Sequence, residues 1–216
     1  MEFVQNLIEI FLHLDVHLGE LTAQYGTFTY AILFFVIFAE TGFVFTPFLP
    51  GDSLLFAMGT LAALGSLNVY FCFFLVVAAA LTGDNVNYWV GHFLGIKILK
   101  NNSGRFIKKE YLEKTGAYFE KYGGKTIIIA RFVPIVRTFT PFTAGIGRMN
   151  YFKFISYSIA GALLWSGLLV FLGYYFGNLP FIKENFSLAI LAVIFISILP
   201  AIIEIIRAKF RSNLAK

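Results

Sequence analysis

The sequence predicts an all-α integral membrane protein built as an inverted repeat. Each copy reads as an interfacial helix, a re-entrant broken hairpin and a spanning helix, and one C-terminal transmembrane helix follows. Three observations carry this. The 216 residues are 58% hydrophobic, 19% aromatic and only 13% charged, with mean hydropathy +0.77, which excludes an ordinary soluble domain. Two apolar runs are interrupted by charges beside prolines. A short motif recurs in both halves. The whole chain, 1–216, reads as one membrane domain, with repeat 1 over about 1–96, repeat 2 over about 97–177 and the final helix over about 186–206.

In chain order, residues 3–21 place apolar side chains at helical spacing beside an acidic face, which suits an interfacial helix. Glu9, His13, His17 and Glu20 form one column of it, a solvated polar face with a metal site as the minor alternative. Tyr25-Gly26-Thr27 breaks the pattern. Phe28–Phe45 is apolar except for Glu40 near its end. The stretch Phe45-Thr46-Pro47-Phe48-Leu49-Pro50-Gly51-Asp52 cannot continue a helix, because each proline lacks an N–H and restricts the residue before it. Ser53–Gly65 then offers only about 20 Å of helix, short of a hydrocarbon core of about 30 Å. A re-entrant pair accounts for both lengths, with Glu40 and Asp52 near the break, where carboxylates are costly and therefore functional candidates.

A spanning helix is expected from about Val69 to Ile96, with Gly83, Asn87, Gly91 and Gly95 on one small polar face and Asp84 beside it, either lining a cavity or bonding a neighbouring helix. Lys97–Lys125 is rich in Lys and Arg. Thr126–Val136 makes half a bilayer of helix, holds Arg131, meets Pro134, and is followed by Arg137, Pro141 and Gly145, a second broken hairpin carrying cations where the first carries anions. Tyr151–Phe176 and Phe186–Ile206 read as further spans. Cys72 lies alone in an apolar run, so no intramolecular disulfide forms.

Phe45-Thr46-Pro47-Phe48-x-x-Gly51 recurs as Phe139-Thr140-Pro141-Phe142-x-x-Gly145. Asn68 is followed by Gly91 and Gly95 at the same offsets at which Asn150 is followed by Gly173 and Gly177. Residues 1–96 hold seven acids and no Lys or Arg, whereas all 17 basic residues follow. The basic segments flank membrane helices, so they report topology and not nucleic-acid binding. They predict a cytoplasmic C-terminus and a periplasmic N-terminus, with the hairpins entering from opposite sides. The N-terminal segment carries Glu2 and Glu9 and lacks the basic region of a signal peptide. Paired broken segments in an inverted repeat point to a transporter with its site where the breaks meet.

The set Glu40…Phe48-Leu49-Pro50-Gly51-Asp52-Ser53, Gly83-Asp84…Tyr88…Gly91…Gly95, Arg131-Phe132-Val133-Pro134…Arg137…Pro141…Ala144-Gly145 and Gly161…Trp165 resembles the DedA family, within the VTT superfamily. The resemblance covers nearly the whole chain. It implies a multi-pass bacterial inner-membrane protein with two opposed re-entrant hairpins and a role in envelope homeostasis. Some members are implicated in flipping undecaprenyl phosphate, and eukaryotic relatives are lipid scramblases. The family's essential acids and arginines fall on Glu40, Asp52, Arg131 and Arg137.

The expected mechanism has Arg131 and Arg137 holding a lipid phosphate, since the guanidinium fork suits phosphate oxygens. Glu40 and Asp52 neutralise the arginines in the absence of lipid and couple transport to protons. Asp84, Pro47, Pro50, Gly51, Pro134, Pro141 and Gly145 line the cavity or act as hinges. Expected partners are a polyprenyl phosphate or anionic phospholipid and protons, with no cofactor. The alternative function is a proton-coupled ion or drug antiporter, and the alternative role of the four charged residues is fixed salt bridging. No stretch offers a nucleophile with a base, which argues against an enzyme.

Overall fold

The computed structural model describes residues 14–43, 51–101 and 123–180, with scattered positions between 182 and 199. Pro47 and Pro50, most of the basic 97–125 segment, the start of the interfacial helix and the C-terminal span fall wholly or largely outside the described residues. Among the described residues the secondary structure is helical: α1 Leu14–Tyr25, a 3₁₀ turn Gly26–Phe28, α2 Thr29–Gly42, α3 Gly51–Ala63, α4 Val69–Asn101, α5 Lys125–Ala130, α6 Pro134–Ile146 and α7 Tyr151–Phe176. Among the described residues three stretches are long and apolar enough to cross a membrane: Leu18–Gly42, Val69–Leu94 and Tyr151–Phe176.

The helix boundaries follow from the sequence chemistry. Gly26 adopts φ +52°, which ends α1 at the expected break. Asn68 and Asn150 cap α4 and α7, their Oδ1 atoms accepting from the N–H groups of Phe71 (3.0 Å) and Lys153 (3.2 Å). The helices before them, α3 and α6, both end in a Schellman turn. Ser66 N–H donates to Leu61 O and Gly65 N–H to Ala62 O; likewise Met149 N–H donates to Ala144 O and Arg148 N–H to Gly145 O. Gly65 takes the left-handed position in the first turn and Arg148 (φ 55°) in the second.

Pro134 differs from its expected place. The helix expected over Thr126–Val136 ends earlier, at Ala130, and Pro134 starts α6 after an extended Val133. A first-turn proline needs no N–H partner and its φ already suits a helix. Pro141 lies inside α6 without ending it. Prolines within membrane helices are tolerated where neighbouring groups satisfy the released carbonyl. The helix α4 runs five residues beyond its expected end, to Asn101.

The chain divides into two compact units. One comprises Met1–Tyr30, Pro50–Phe73 and Gly167–Lys216, the other Ala31–Leu49 and Phe74–Ser166, so each draws on both sequence repeats. In the first, α3 lies directly on the end of α7. A Cβ added at Gly59 would overlap Val170 O, and one at Gly173 would overlap Phe56 O. Thr60 Oγ1 sits 3.3 Å from Gly173 O. In the second unit the same reciprocal contact joins α6 to α4: a Cβ at Gly145 would overlap Tyr88 O, and one at Gly91 would overlap Phe142 O. Such approach requires glycine on both helices. The core beside it is Tyr88, Ile127, Ala144, Met149 and Phe154, with the Tyr88 ring stacked 4.5 Å from Phe154. Large apolar side chains such as Phe74, Phe93, Phe152 and Leu164 point outward, whereas Glu40, Asp84, Asn87, Arg131 and Arg137 are buried. This polar inside and apolar outside suit a lipid surround.

Candidate functional site

The site lies within the second unit and is assembled from four segments. The break at Arg131–Val133 supplies the two arginines. Arg131 is the C-cap of α5, and Arg137 lies in the first turn of α6, its N–H bonded to Val133 O at 2.8 Å. On one continuous helix the two would point about 120° apart. The break turns both onto Trp165 of α7, whose ring centre lies 4.5 Å from Arg137 Cζ and 5.8 Å from Arg131 Cζ. An indole face attracts guanidinium electrostatically, which eases the placing of two like charges together.

Each arginine has a carboxylate. Arg137 Nη2 donates to Glu40 Oε1, from the last turn of α2. Arg131 Nη2 donates to Asp84 Oδ2, from the middle of α4, and Ser158 of α7 donates its hydroxyl to the same oxygen. All five of these side chains are at most 4% exposed. Two cations and two anions therefore share one buried locus, which removes the net charge that would make burial prohibitive.

The surrounding helices are shaped for this. Gly83 lets α4 touch the end of α2, since a Cβ there would overlap Thr41. Asn87, one turn on, donates from Nδ2 to Thr41 O at 2.7 Å and reaches Thr138 O at 3.4 Å, tying the end of α2 to α6. On α7, Ser158, Gly161 and Trp165 follow at helical spacing. Gly161 faces the Arg131 stem, whose Nε and Cδ lie 3.4 and 3.5 Å from where a Cβ would stand.

A cavity of about 10 Å³ opens among the charges, lined by Asp84, Ile127, Arg131, Arg137, Thr140 and Pro141. It has room for roughly one water. Arg131 Nη1 is buried and has no hydrogen-bond partner among the described residues. Of the expected site residues, the structure brings together Arg131, Arg137, Glu40, Asp84 and Pro141. Asp52 and Gly51 open α3 in the other unit, where the helix N-terminus favours a carboxylate. Gly145 serves the α6–α4 contact, and Pro134 sets the start of α6. Ser158 and Asn87 had been given no site role from sequence. A serine seven residues before a tryptophan on one face of an apolar span was the available signal for the former.

The chain matches the VTT domain over residues 49–175. It is 52% identical to Protein DedA of Escherichia coli strain K12 over 211 residues, covering 97% of this chain and 96% of that protein. It is 42% identical to the uncharacterized membrane protein Rv0364 of Mycobacterium tuberculosis strain H37Rv, covering 84% and 82% of the two chains. It is 35% identical to the inner membrane protein YqjA of Escherichia coli K12, covering 70% and 69%. No solved structure matches. The chain thus belongs to the DedA family of VTT-domain membrane proteins.

Proposed function

We propose that this protein moves an anionic lipid across the bacterial inner membrane, acting as a flippase for undecaprenyl phosphate or a related lipid phosphate. The observation that carries the reading is the pair of buried arginines at one indole ring, each held by a carboxylate, beside a small cavity. Guanidinium groups give paired, charge-assisted hydrogen bonds to phosphate oxygens. A cavity sized for one water does not admit a whole phosphoryl group, so binding requires an arginine to exchange its carboxylate for the ligand. Protonating Glu40 releases Arg137 without exposing an unpaired anion, which links lipid binding to protons. The two broken helix pairs act as opposed re-entrant hairpins, with the basic C-terminal half facing the cytoplasm. Asp52, at the start of α3, is assigned a proton-coupling or charge-pairing role of its own.

The test is transport of labelled undecaprenyl phosphate by purified protein in liposomes, with and without a pH gradient. Wild type is expected to transport, folded Arg137→Ala to fail, and Glu40→Gln to lose its response to the gradient. Folded wild type that moves no lipid but dissipates cation gradients would replace this reading with a proton-coupled antiporter.

A further inference from the structure

The carboxylates of the two ion pairs differ in their relation to the cavity. Asp84 lines the cavity, whereas Glu40 does not contribute to its wall. Asp84 Oδ2 takes two donors, Arg131 Nη2 and the Ser158 hydroxyl, so it is held from α5 and α7 at once. Arg131 is held at its tip by Asp84, and its stem runs beside Gly161. Its second terminal nitrogen, Nη1, is buried and unpartnered among the described residues.

We propose that Asp84, clamped by Ser158, is a positioning and affinity-setting residue for the anion site. It occupies Arg131 Nη2, turns Nη1 toward the cavity for a phosphoryl oxygen, and opposes the anion with its own charge, so that the ligand is released as well as bound. The inference rests on the lipid-phosphate reading above. It adds a division of labour: Arg131 keeps its carboxylate while it binds, and Arg137 exchanges Glu40 for the ligand. Among the described residues the other charged groups at the locus are Glu40 and Arg137, paired with each other, and Asp84 is the carboxylate that lines the cavity.

Removing one unit charge from the wall of a low-dielectric cavity changes anion affinity by about tenfold or more. The experiment measures binding of farnesyl phosphate to the purified full-length protein in detergent, with farnesol and inorganic phosphate as competitors. Transport of the same lipid in liposomes is read alongside. Asp84→Asn is expected to tighten binding by about tenfold and to lower kcat, because release slows. Ser158→Ala keeps every charge and loosens the clamp; Asp84 then opposes the anion unrelieved and holds Arg131 less firmly, so KM is expected to rise, by a smaller factor and in the direction opposite to Asp84→Asn. A purely packing role would lower the yield of folded protein and leave KM unmoved, and that result overturns the proposal. Should Asp84→Asn not fold, unchanged binding in folded Ser158→Ala overturns it equally. Wild type that binds no farnesyl phosphate refutes the lipid-phosphate reading and this inference with it. Inorganic phosphate competing as strongly as the lipid would assign the cavity to free phosphate. The Asp84 effect would then persist and the lipid reading would fall.

Discussion

The Glu40–Arg137 pair permits a quantitative test. Both side chains are almost fully buried, at 2% and 4% exposure, and Arg137 also stacks 4.5 Å from the Trp165 ring centre. Replacing either partner by Gln leaves a full charge in a buried site. The expected loss is about 3 kcal/mol per single variant, roughly a 140-fold change in the unfolding equilibrium. Replacing both removes the two charges together and leaves two amides able to bond each other. The double variant then loses mainly the guanidinium–indole contact, about 2 kcal/mol. Additivity would demand about 6 kcal/mol, so a clear departure is expected. The assay is unfolding in mixed detergent micelles, followed by tryptophan fluorescence, for wild type, Glu40→Gln, Arg137→Gln and the double variant. A double variant as unstable as the sum of the singles would refute the pairing. So would single variants that each lose under about 1 kcal/mol, the value of a solvent-exposed pair.

Three further outcomes follow from the same geometry. Trp165→Leu removes the surface under both arginines; transport is expected to fall by at least tenfold, and Trp165→Phe is expected to retain more of it, as liposome assays of the two would show. Gly145→Ala places a methyl against Tyr88 O and is expected to cost about 1–3 kcal/mol in the same unfolding assay, as Gly59→Ala should against Val170 O. Arg148→Gly relieves a left-handed residue in an exposed turn and is expected to stabilise by about 0.5–1 kcal/mol, seen as a later unfolding midpoint.

The parts of the fold that could be read from sequence are those set by local chemistry. Gly26 and the Asn68 and Asn150 caps mark helix ends because a positive φ and an Asx cap are properties of single residues. The boundaries of α7 come directly from its unbroken apolar run. Pro134 was legible as a discontinuity but not as a helix start, since proline is compatible with both sides of a break and the extended Val133 decides between them. Asp84 was legible as a costly carboxylate and not as the partner of Arg131. The two are 47 positions apart, and the pairing depends on how α4, α5 and α7 meet. Ser158 was harder still, because a serine in a span is usually satisfied by its own helix, as Ser156 is by Phe152 O.

The internal repeat has a physical counterpart that its sequence motif alone does not define. Gly91 and Gly173 occupy equivalent places, each 23 residues after a capping asparagine, and each receives a Phe-x-x-Gly turn of a short helix. The receiving and donating helices come from different repeats: α3 of the first meets α7 of the second, and α6 of the second meets α4 of the first. The packing equivalents of Phe142 and Gly145 are Phe56 and Gly59, eight residues beyond the sequence matches Phe48 and Gly51. That offset separates two demands on the repeated segment. Tight helix contact is met by Phe-x-x-Gly wherever it falls on the helix. The Thr-Pro-Phe match lies inside α6 in the second copy, where Thr140 and Pro141 line the cavity. Packing therefore kept its geometry while its register moved, and Thr140 and Pro141 remain tied to the charged site.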